Sequence, residues 1–330
     1  MIVGLLKHKI ELSLLTLFST CVILSIYYFS VSKSVFVTVS EKEYLFYDLI
    51  FKRSEAFSFS YKLINLCLIF FGAYAINIIS VKNELINKGN FLPAFLYLVF
   101  SFSSITSSEM QPILISNLFL IFSFHLIFKS SSNENAFNDS FNIGLLISLA
   151  SCFFTYYFLL IPLIMIAFLL FKSFNWREHL CFLVGVFTPI YFYESISYLS
   201  ENDFAKPFLL FSSLFKHPDK PLFSEYDLPL IFTFIFLTIM AFIYYINKGF
   251  GNKIKIQSAK KLLIWFGLLC FMISVLDASS LTLLLPCAIP LSIIIGDYIY
   301  EIKRLKIANT LLSALILCLL LVYFHQLNWI

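Results

Sequence analysis

The residues best suited to chemistry lie in the first polar stretch of the chain, which follows an apolar run at residues 10–30. Asp48 is a carboxylate set in apolar sequence, and Lys52 and Arg53 follow it one helical turn later. A carboxylate can take a proton from an acceptor hydroxyl, while two cations can hold a phosphate leaving group. The same spacing also fits a surface charge pair worth about 0.3–0.5 kcal/mol, so both interpretations stay open.

Two more polar positions belong to the same candidate site. Glu109 closes a short connection between two apolar runs, where it would serve as a second acid or as a metal ligand. His217 opens the proline-bounded polar segment 217–221, which fits either a linker or a lid over the site. As part of a lid, His217 would join Lys52 and Arg53 in binding a phosphate or a lipid headgroup.

Metal and cofactor chemistry finds little support. The seven cysteines lie singly in apolar runs without a C-x-x-C pair, and the five histidines are scattered. The chain contains no Walker motif and no G-x-G-x-x-G. We therefore expect no metal site and no cofactor. A net charge of +4 with three arginines also disfavours a nucleic-acid partner.

The composition requires a lipid-facing surface. Apolar residues make up 60% of the 330 residues, charged residues only 13%, and mean hydropathy is +0.90. A soluble globular domain carries about 25% charged residues. Such a chain cannot cover itself with polar side chains, so we expect membrane lipids to surround it.

Apolar runs of membrane-spanning length predict an all-α, polytopic protein with about eleven transmembrane helices. Prolines interrupt several runs, which is tolerated where neighbouring protein satisfies the freed backbone groups. The stretch 141–172 fits either two short spans or one long tilted helix, so ten or twelve spans stay open. The predicted spans cover 10–30, 60–80, 91–106, 112–129, 141–156, 158–172, 179–198, 228–247, 262–277, 279–300 and 307–326.

The positive-inside rule orients this single transmembrane domain, which covers residues 1–330. With the N-terminus inside and the C-terminus outside, most of the 23 lysines and arginines fall on the cytoplasmic side. The outer loops are then 31–60 and 199–227, and the inner loops are 81–90, 130–140 and 248–261. This arrangement predicts a multi-pass protein of a bacterial inner membrane.

Two stretches of the outer loops have the spacing of amphipathic helices. Residues 43–51 place Leu45 and Leu49 on one face and Asp48 on the other, and residues 204–215 repeat the pattern with a phenylalanine stripe. We expect each to lie in the plane of the outer interface. Packing against neighbouring spans is the alternative for both.

Two motifs resemble an uncharacterised family of polytopic inner-membrane proteins found in Bacteroidota-type Gram-negative bacteria. The first is Met110-Gln111-Pro112 followed by Asn117, and the second is Asn175-Trp176-Arg177-Glu178 followed by Gly185 and Pro189. The resemblance implies an inner-membrane location but no reaction. In the second motif, anchoring at the interface is the simpler interpretation.

The chain is also distantly similar to the C-type fold of glycosyltransferases that use polyprenyl-phosphate sugars. The similarity consists of a first span followed by an acidic outer loop, and of the proline-broken stretch 285–291. It implies that Glu41, Glu43 or Asp48 occupies the position of the catalytic acid. It also implies a polyprenyl-phosphate-linked substrate.

Three classes of function stay open after these observations. An envelope enzyme would use Asp48, Glu43 and Glu109 on a lipid-linked donor. A non-catalytic subunit of an envelope or secretion assembly would bind other envelope proteins through its spans. A small-molecule or lipid transporter is less favoured, because few ionisable or polar groups lie within the spans. Those few are Asn65, Asn117, His125 and Glu194.

Overall fold

The structure, a computed structural model, describes eleven stretches of the chain and is helical throughout them, without a β-strand. The described residues are 19–26, 28, 58–86, 90–104, 111–130, 136–171, 175–199, 228–248, 254–277, 284–302 and 304–326. The two predicted interfacial helices, 43–51 and 204–215, lie outside these residues.

We number the helices in chain order, beginning with α1 at residues 19–26 and Tyr28. The others are α2 Ser58–Lys82, α3 Leu92–Ser104, α4 Pro112–Ser130, α5 Phe137–Phe153, a 3₁₀ helix Thr155–Leu160, α6 Ile161–Phe171, α7 Trp176–Leu199, α8 Leu228–Lys248, α9 Ile254–Asp277, α10 Leu284–Glu301 and α11 Leu305–Gln326. The predicted all-helical class is confirmed for the described residues.

Five described helices, α2, α4, α7, α8 and α9, are long and apolar enough to cross a membrane. Shorter apolar helices occur at Leu92–Ser103, Thr155–Phe171 and Leu305–Cys318. Large apolar side chains cover the outward faces, including Phe187 and Tyr191 of α7 and Phe232 of α8. A surface of this kind is consistent with a multi-pass membrane protein.

The contacts of α2 and α4 define the two ends of the bundle. Asn65 of α2 meets Gln111 just before α4, and further along Phe71 meets Phe122, so the two helices run parallel. Their last residues therefore reach the same end. We call it the lysine end, where Lys82, Lys129 and Lys260 lie. The other end, where Tyr28, Gln111 and Leu285 lie, is called the opposite end.

Helix α5 runs antiparallel to α4. The hydroxyl of Ser116 donates to the carbonyl of Ala150 at 2.9 Å near the opposite end. The ammonium of Lys129 lies 3.1 Å from the carboxylate of Asp139 at the lysine end. Helix α5 therefore leads the chain from the lysine end toward the opposite end.

Helices α5 and α7 run parallel. The backbone N–H of Ala136, before α5, donates to Glu178 in the first turn of α7, and Gly144 lies against Phe182 further along both helices. The chain must therefore return between them. It turns at Phe154, whose extended backbone (φ −143°, ψ 98°) ends α5, and returns through the 3₁₀ helix and α6. Residues 141–172 thus form two antiparallel passes rather than one long helix.

The last four helices continue this alternation. The ammonium of Lys260 in α9 and the hydroxyl of Tyr245 in α8 both reach Asp297 of α10 at the lysine end. Ser274 and Cys287 bring the other ends of α9 and α10 together. Helix α11 then starts at the lysine end, a few residues after α10 finishes there.

Two helices begin inside stretches that the sequence places in inner loops. Helix α9 begins at Ile254, inside the predicted inner loop 248–261, and α5 begins at Phe137, inside the predicted loop 130–140. Both helices extend beyond their apolar runs. Lysine side chains in the first turns of α9 have long apolar stems, and Asp139 suits the first turn of α5, where the helix dipole favours an anion.

The closest helix crossing joins α5 to α7 at Gly144 and Gly185. A Cβ atom on Gly144 would lie 2.1 Å from the carbonyl oxygen of Phe182, and one on Gly185 would lie 2.2 Å from that of Phe141. Small residues allow backbones to approach in a membrane, where packing replaces the hydrophobic effect between helices. These two glycines make the most extensive helix contact in the described residues possible.

We expect Gly144→Ala or Gly185→Ala to destabilise the protein by about 1–3 kcal/mol or more, because a backbone atom occupies the space of the new methyl group. Gly267→Ala is the matched control, since its nearest neighbour, Pro290, lies 3.7 Å away. The measurement is thermal unfolding in detergent. Unfolding is monitored through alkylation of the Cys152 thiol, which is buried in the folded protein. Equal melting temperatures for all three variants would contradict this account.

Candidate functional site

Among the described residues, α1, α2 and α4 form a groove with room for a ligand. It has a volume of about 730 Å³ and is lined by apolar residues of α2 from Leu63 to Phe71, by α1 at Cys21, Val22 and Ser25, and by Leu118 of α4. Eight residues of helical rise make it about 12 Å long. One leaflet of a membrane has a hydrocarbon thickness of about 15 Å, so the groove matches the depth of a single leaflet.

The groove lies in the half of the molecule nearest the opposite end, where a polar contact joins the three elements that form it. Asn65 is fully buried. Its amide donates to the hydroxyl of Tyr28 at 3.4 Å, and its carbonyl accepts the backbone N–H of Gln111 at 3.2 Å. This one side chain joins α1, α2 and the start of α4. Lys62, partly exposed, precedes Leu63 at this end of the groove.

A second buried polar contact lies at Asn117 of α4. Its amide donates to the backbone carbonyl of Leu285 at 3.0 Å, and its carbonyl accepts the hydroxyl of Tyr157 at 2.5 Å. The contact holds the 3₁₀ helix and the first turn of α10 on α4. Tyr97, also fully buried, fits beside it because Gly72 has no side chain: a Cβ there would lie 2.9 Å from the Tyr97 ring.

The motif Asn175–Glu178 caps two helices at once. The side-chain oxygen of Asn175 accepts the backbone N–H of Arg177 at 3.2 Å, as the side chain of an N-cap residue does. Glu178, three residues later, accepts the backbone N–H of Ala136 at 3.3 Å and the Asn175 amide at 3.5 Å. A carboxylate is favourable beside two helix N-termini. These contacts make the motif an N-terminal cap of α7 that is also joined to the start of α5.

An ion pair fixes three further helices at the lysine end. The ammonium of Lys260 and the hydroxyl of Tyr245 each lie 2.7 Å from the same carboxylate oxygen of Asp297. Lys260 also lies over the Tyr245 ring, 4.9 Å from its centroid. The side chain of Asp297 is 7% exposed and that of Lys260 is 17% exposed, so each depends on the other for its pairing.

The sequence singled out four polar residues within the spans, and they divide into two pairs. Asn65 and Asn117 are fully buried and join helices. Glu194 and His125 each have one buried side-chain atom, Oε2 and Nδ1, that makes no hydrogen bond. Within the described ranges, no three histidine, cysteine, aspartate or glutamate side chains converge as metal ligands would.

All six predicted site residues lie outside the described residues, so their side chains have no described position. They are Glu43, Asp48, Lys52, Arg53, Glu109 and His217. Their segments are 29–57, 105–110 and 200–227. The described helices on either side, α1 and α2, α3 and α4, and α7 and α8, place the ends of all three segments at the opposite end.

Sequence reasoning missed the groove and its lining. Helix α2 is apolar on every side, so its sequence contains no periodic signal that separates a groove from a lipid-facing surface. The only local signal is Lys62, a charge at the start of a long apolar run. The groove arises from the relative positions of three helices.

Residues 32–330 match a family described as a family of unknown function, DUF6427. The chain belongs to this family. The match covers α2 to α11 and includes both motifs, while α1, which forms one wall of the groove, precedes it. The expectation of a family without an assigned reaction is confirmed. No curated protein and no solved structure matches the chain.

The capping arrangement of this DUF6427 chain makes a prediction about the Asn175–Glu178 motif. We expect Glu178→Ala to lower the free energy of unfolding by about 1–3 kcal/mol, because it leaves the buried N–H of Ala136 without an acceptor. Arg177→Ala should change it by less than about 0.5 kcal/mol, since the guanidinium lies over the exposed Trp176 ring. Thermal unfolding of the two purified variants measures this difference in stability. Greater damage from Arg177→Ala would show that the motif has another role.

Proposed function

We propose that the protein crosses the inner membrane of a Bacteroidota-type Gram-negative cell eleven times, with the N-terminus in the cytoplasm. The alternating directions of α1 to α11 support this number, with the 3₁₀ helix and α6 forming one pass. Shorter passes are compatible with a membrane where neighbouring helices satisfy their ends. The number of crossings depends most on residues 137–171, where the chain crosses the bundle twice.

The distribution of charge supports the orientation. Nine basic residues of the described stretches lie at or near the lysine end: Lys82, Lys129, Arg177, Lys248, Lys255, Lys260, Lys261, Arg304 and Lys306. Lys62 lies at the opposite end. Basic residues are retained on the cytoplasmic side. The lysine end therefore faces the cytoplasm in this proposal, and the groove opens into the outer leaflet.

The groove supports a role in binding a lipid. Its walls are apolar, its length matches one leaflet, and Lys62 offers a positive charge at the level of the headgroups. A single hydrocarbon chain linked to phosphate has the matching chemistry. We propose a polyprenyl-phosphate-linked sugar as that lipid, because the three segments that carry the predicted site residues also start and finish at this end.

The proposed reaction is glycosyl transfer at the outer leaflet. Asp48 takes the proton of an acceptor hydroxyl, whose oxygen attacks the anomeric carbon of the sugar, and the bond to the lipid phosphate breaks. Lys52, Arg53 and His217 stabilise the departing phosphate, while Glu43 or Glu109 orients the acceptor. The groove, which holds the lipid chain of the donor, is the observation on which this proposal rests.

The topology is tested with single cysteines introduced into a variant without native cysteines. Ser213→Cys, in segment 200–227, should react with a membrane-impermeant maleimide in intact spheroplasts, because the segment joins two helix ends at the outer side. Ser132→Cys, between α4 and α5, should react only after lysis. Reaction of the Ser213→Cys variant only after lysis would overturn the orientation.

The function is tested by separating lipid binding from transfer. We expect Cys67→Trp to fill the groove. This variant should lose both lipid co-purification, measured by native mass spectrometry, and the cell-envelope glycan that the wild type makes. Asp48→Asn should lose the glycan and keep the lipid bound. Val184→Trp, on the exposed face of α7, and Glu55→Gln, in the same segment as Asp48, are the controls and should do neither.

Two results would contradict the proposal. If Asp48→Asn cells match the wild type while deletion of the whole protein has a phenotype, Asp48 is not the base and a non-catalytic subunit is favoured. If the wild-type protein co-purifies without lipid and forms a stable complex with another envelope protein through α1 and α2, the groove is a protein interface.

A further inference from the structure

Among the described residues, the groove has an inner boundary, because its lining ends on α2 at Phe71. At the level of Phe71, the last lining residue of α2, its ring meets that of Phe122 one turn deeper on α4, with 6.1 Å between the ring centroids. Leu118 of α4 lines the groove at the same level. Phe71 is 48% exposed and Phe122 is 39% exposed, so the two rings stand at the surface of the bundle rather than within its core.

This boundary lies near the middle of the membrane. The lining starts at Leu63, close to the opposite end, and Phe71 lies about 12 Å further in. The hydrocarbon of one leaflet is about 15 Å deep. A chain that enters beside Lys62 and follows α2 therefore reaches the two rings shortly before the bilayer midplane.

We infer that Phe71, supported by Phe122, ends the lipid site and directs the rest of a bound chain out into the bilayer. This inference rests on the proposed binding of a lipid in the groove. The protein then recognises only the part of the lipid chain next to the phosphate, which is about 12 Å long. Chains of any greater length are then accepted, as suits polyprenyl phosphates.

The physical reason is the balance of contacts on the two sides of the boundary. Inside the membrane, a methylene group gains little by moving from lipid into an apolar groove, because both surroundings are apolar. Only close packing against the groove walls distinguishes the bound section. Beyond Phe71, the rings occupy the path along α2, and displacing them costs more than turning the chain into the neighbouring lipid.

Photo-crosslinking measures where a chain leaves the protein. Two n-hexadecyl phosphates are prepared, one with a diazirine close to the phosphate and one with a diazirine well beyond 12 Å, and each is added to the full-length protein in phosphatidylcholine nanodiscs. We expect the proximal probe to label peptides that contain Leu63 to Phe71. The distal probe should label lipid, and should label α2 beyond Phe71 no more strongly than the exposed face of α7.

Variants move the boundary if the inference holds. Phe71→Ala should raise labelling of α2 beyond position 71 by the distal probe, for example at the exposed Ile78, above that of the exposed face of α7, and the double variant with Phe122→Ala should raise it further. Phe187→Ala removes an exposed ring on α7 and is the control, which should label as the wild type does. Because Phe71 and Phe122 are half exposed, their truncation leaves the buried core in place.

The outcomes separate the inference from the proposed function. Labelling of Ile78 by the distal probe in the wild type above that of the exposed face of α7, or unchanged labelling in both variants, would overturn the inference while the groove remains a lipid site. Absence of groove labelling by the proximal probe would overturn the proposed lipid binding itself. Crosslinks between two copies of the chain at α1 and α2 would identify the groove as a dimer interface and overturn both.

Discussion

The parallel packing of α5 on α7 is the constraint from which the arrangement of the later helices follows. Two helices so close in sequence can run parallel only if the chain between them travels back, and Phe154, the 3₁₀ helix and α6 make that return. The crossing at Gly144 and Gly185 brings the backbones into contact, and Glu178 caps both N-termini. Had residues 141–172 formed one helix, every later helix would run in the opposite direction.

Buried polar side chains fix the remaining helix positions, because apolar contacts alone distinguish poorly between arrangements when lipid is equally apolar. Asn65 joins three elements at the opposite end, Asn117 joins three near it, and Asp297 joins three at the lysine end. Each side chain would be costly to leave unpaired in this environment. A shifted register of any helix would break at least one of these contacts, so they select a single packing.

The sequence predicted the helices well because each must hold a long apolar run, and length is the strongest constraint that a bilayer imposes. It predicted less about what the helices form together. Asn175 to Glu178 reads as an interfacial anchor, and its capping of α5 depends on a contact with Ala136 that sequence spacing does not reveal. The groove beside Phe71 likewise depends on three helices, and an evenly apolar α2 contains no mark of it.

The two ends of the bundle differ in a way that bears on where chemistry is feasible. At the lysine end, three of the described acids, Asp139, Glu178 and Asp297, are already engaged with a lysine or with helix N-termini, and a carboxylate held in this way is poorly placed to accept a substrate proton. The described helices on either side place the ends of the three segments that carry the predicted site residues at the opposite end, where the groove also begins. The proposed reaction on a lipid headgroup needs both an apolar site for the chain and a carboxylate at the interface, so the proposal assigns it to this end.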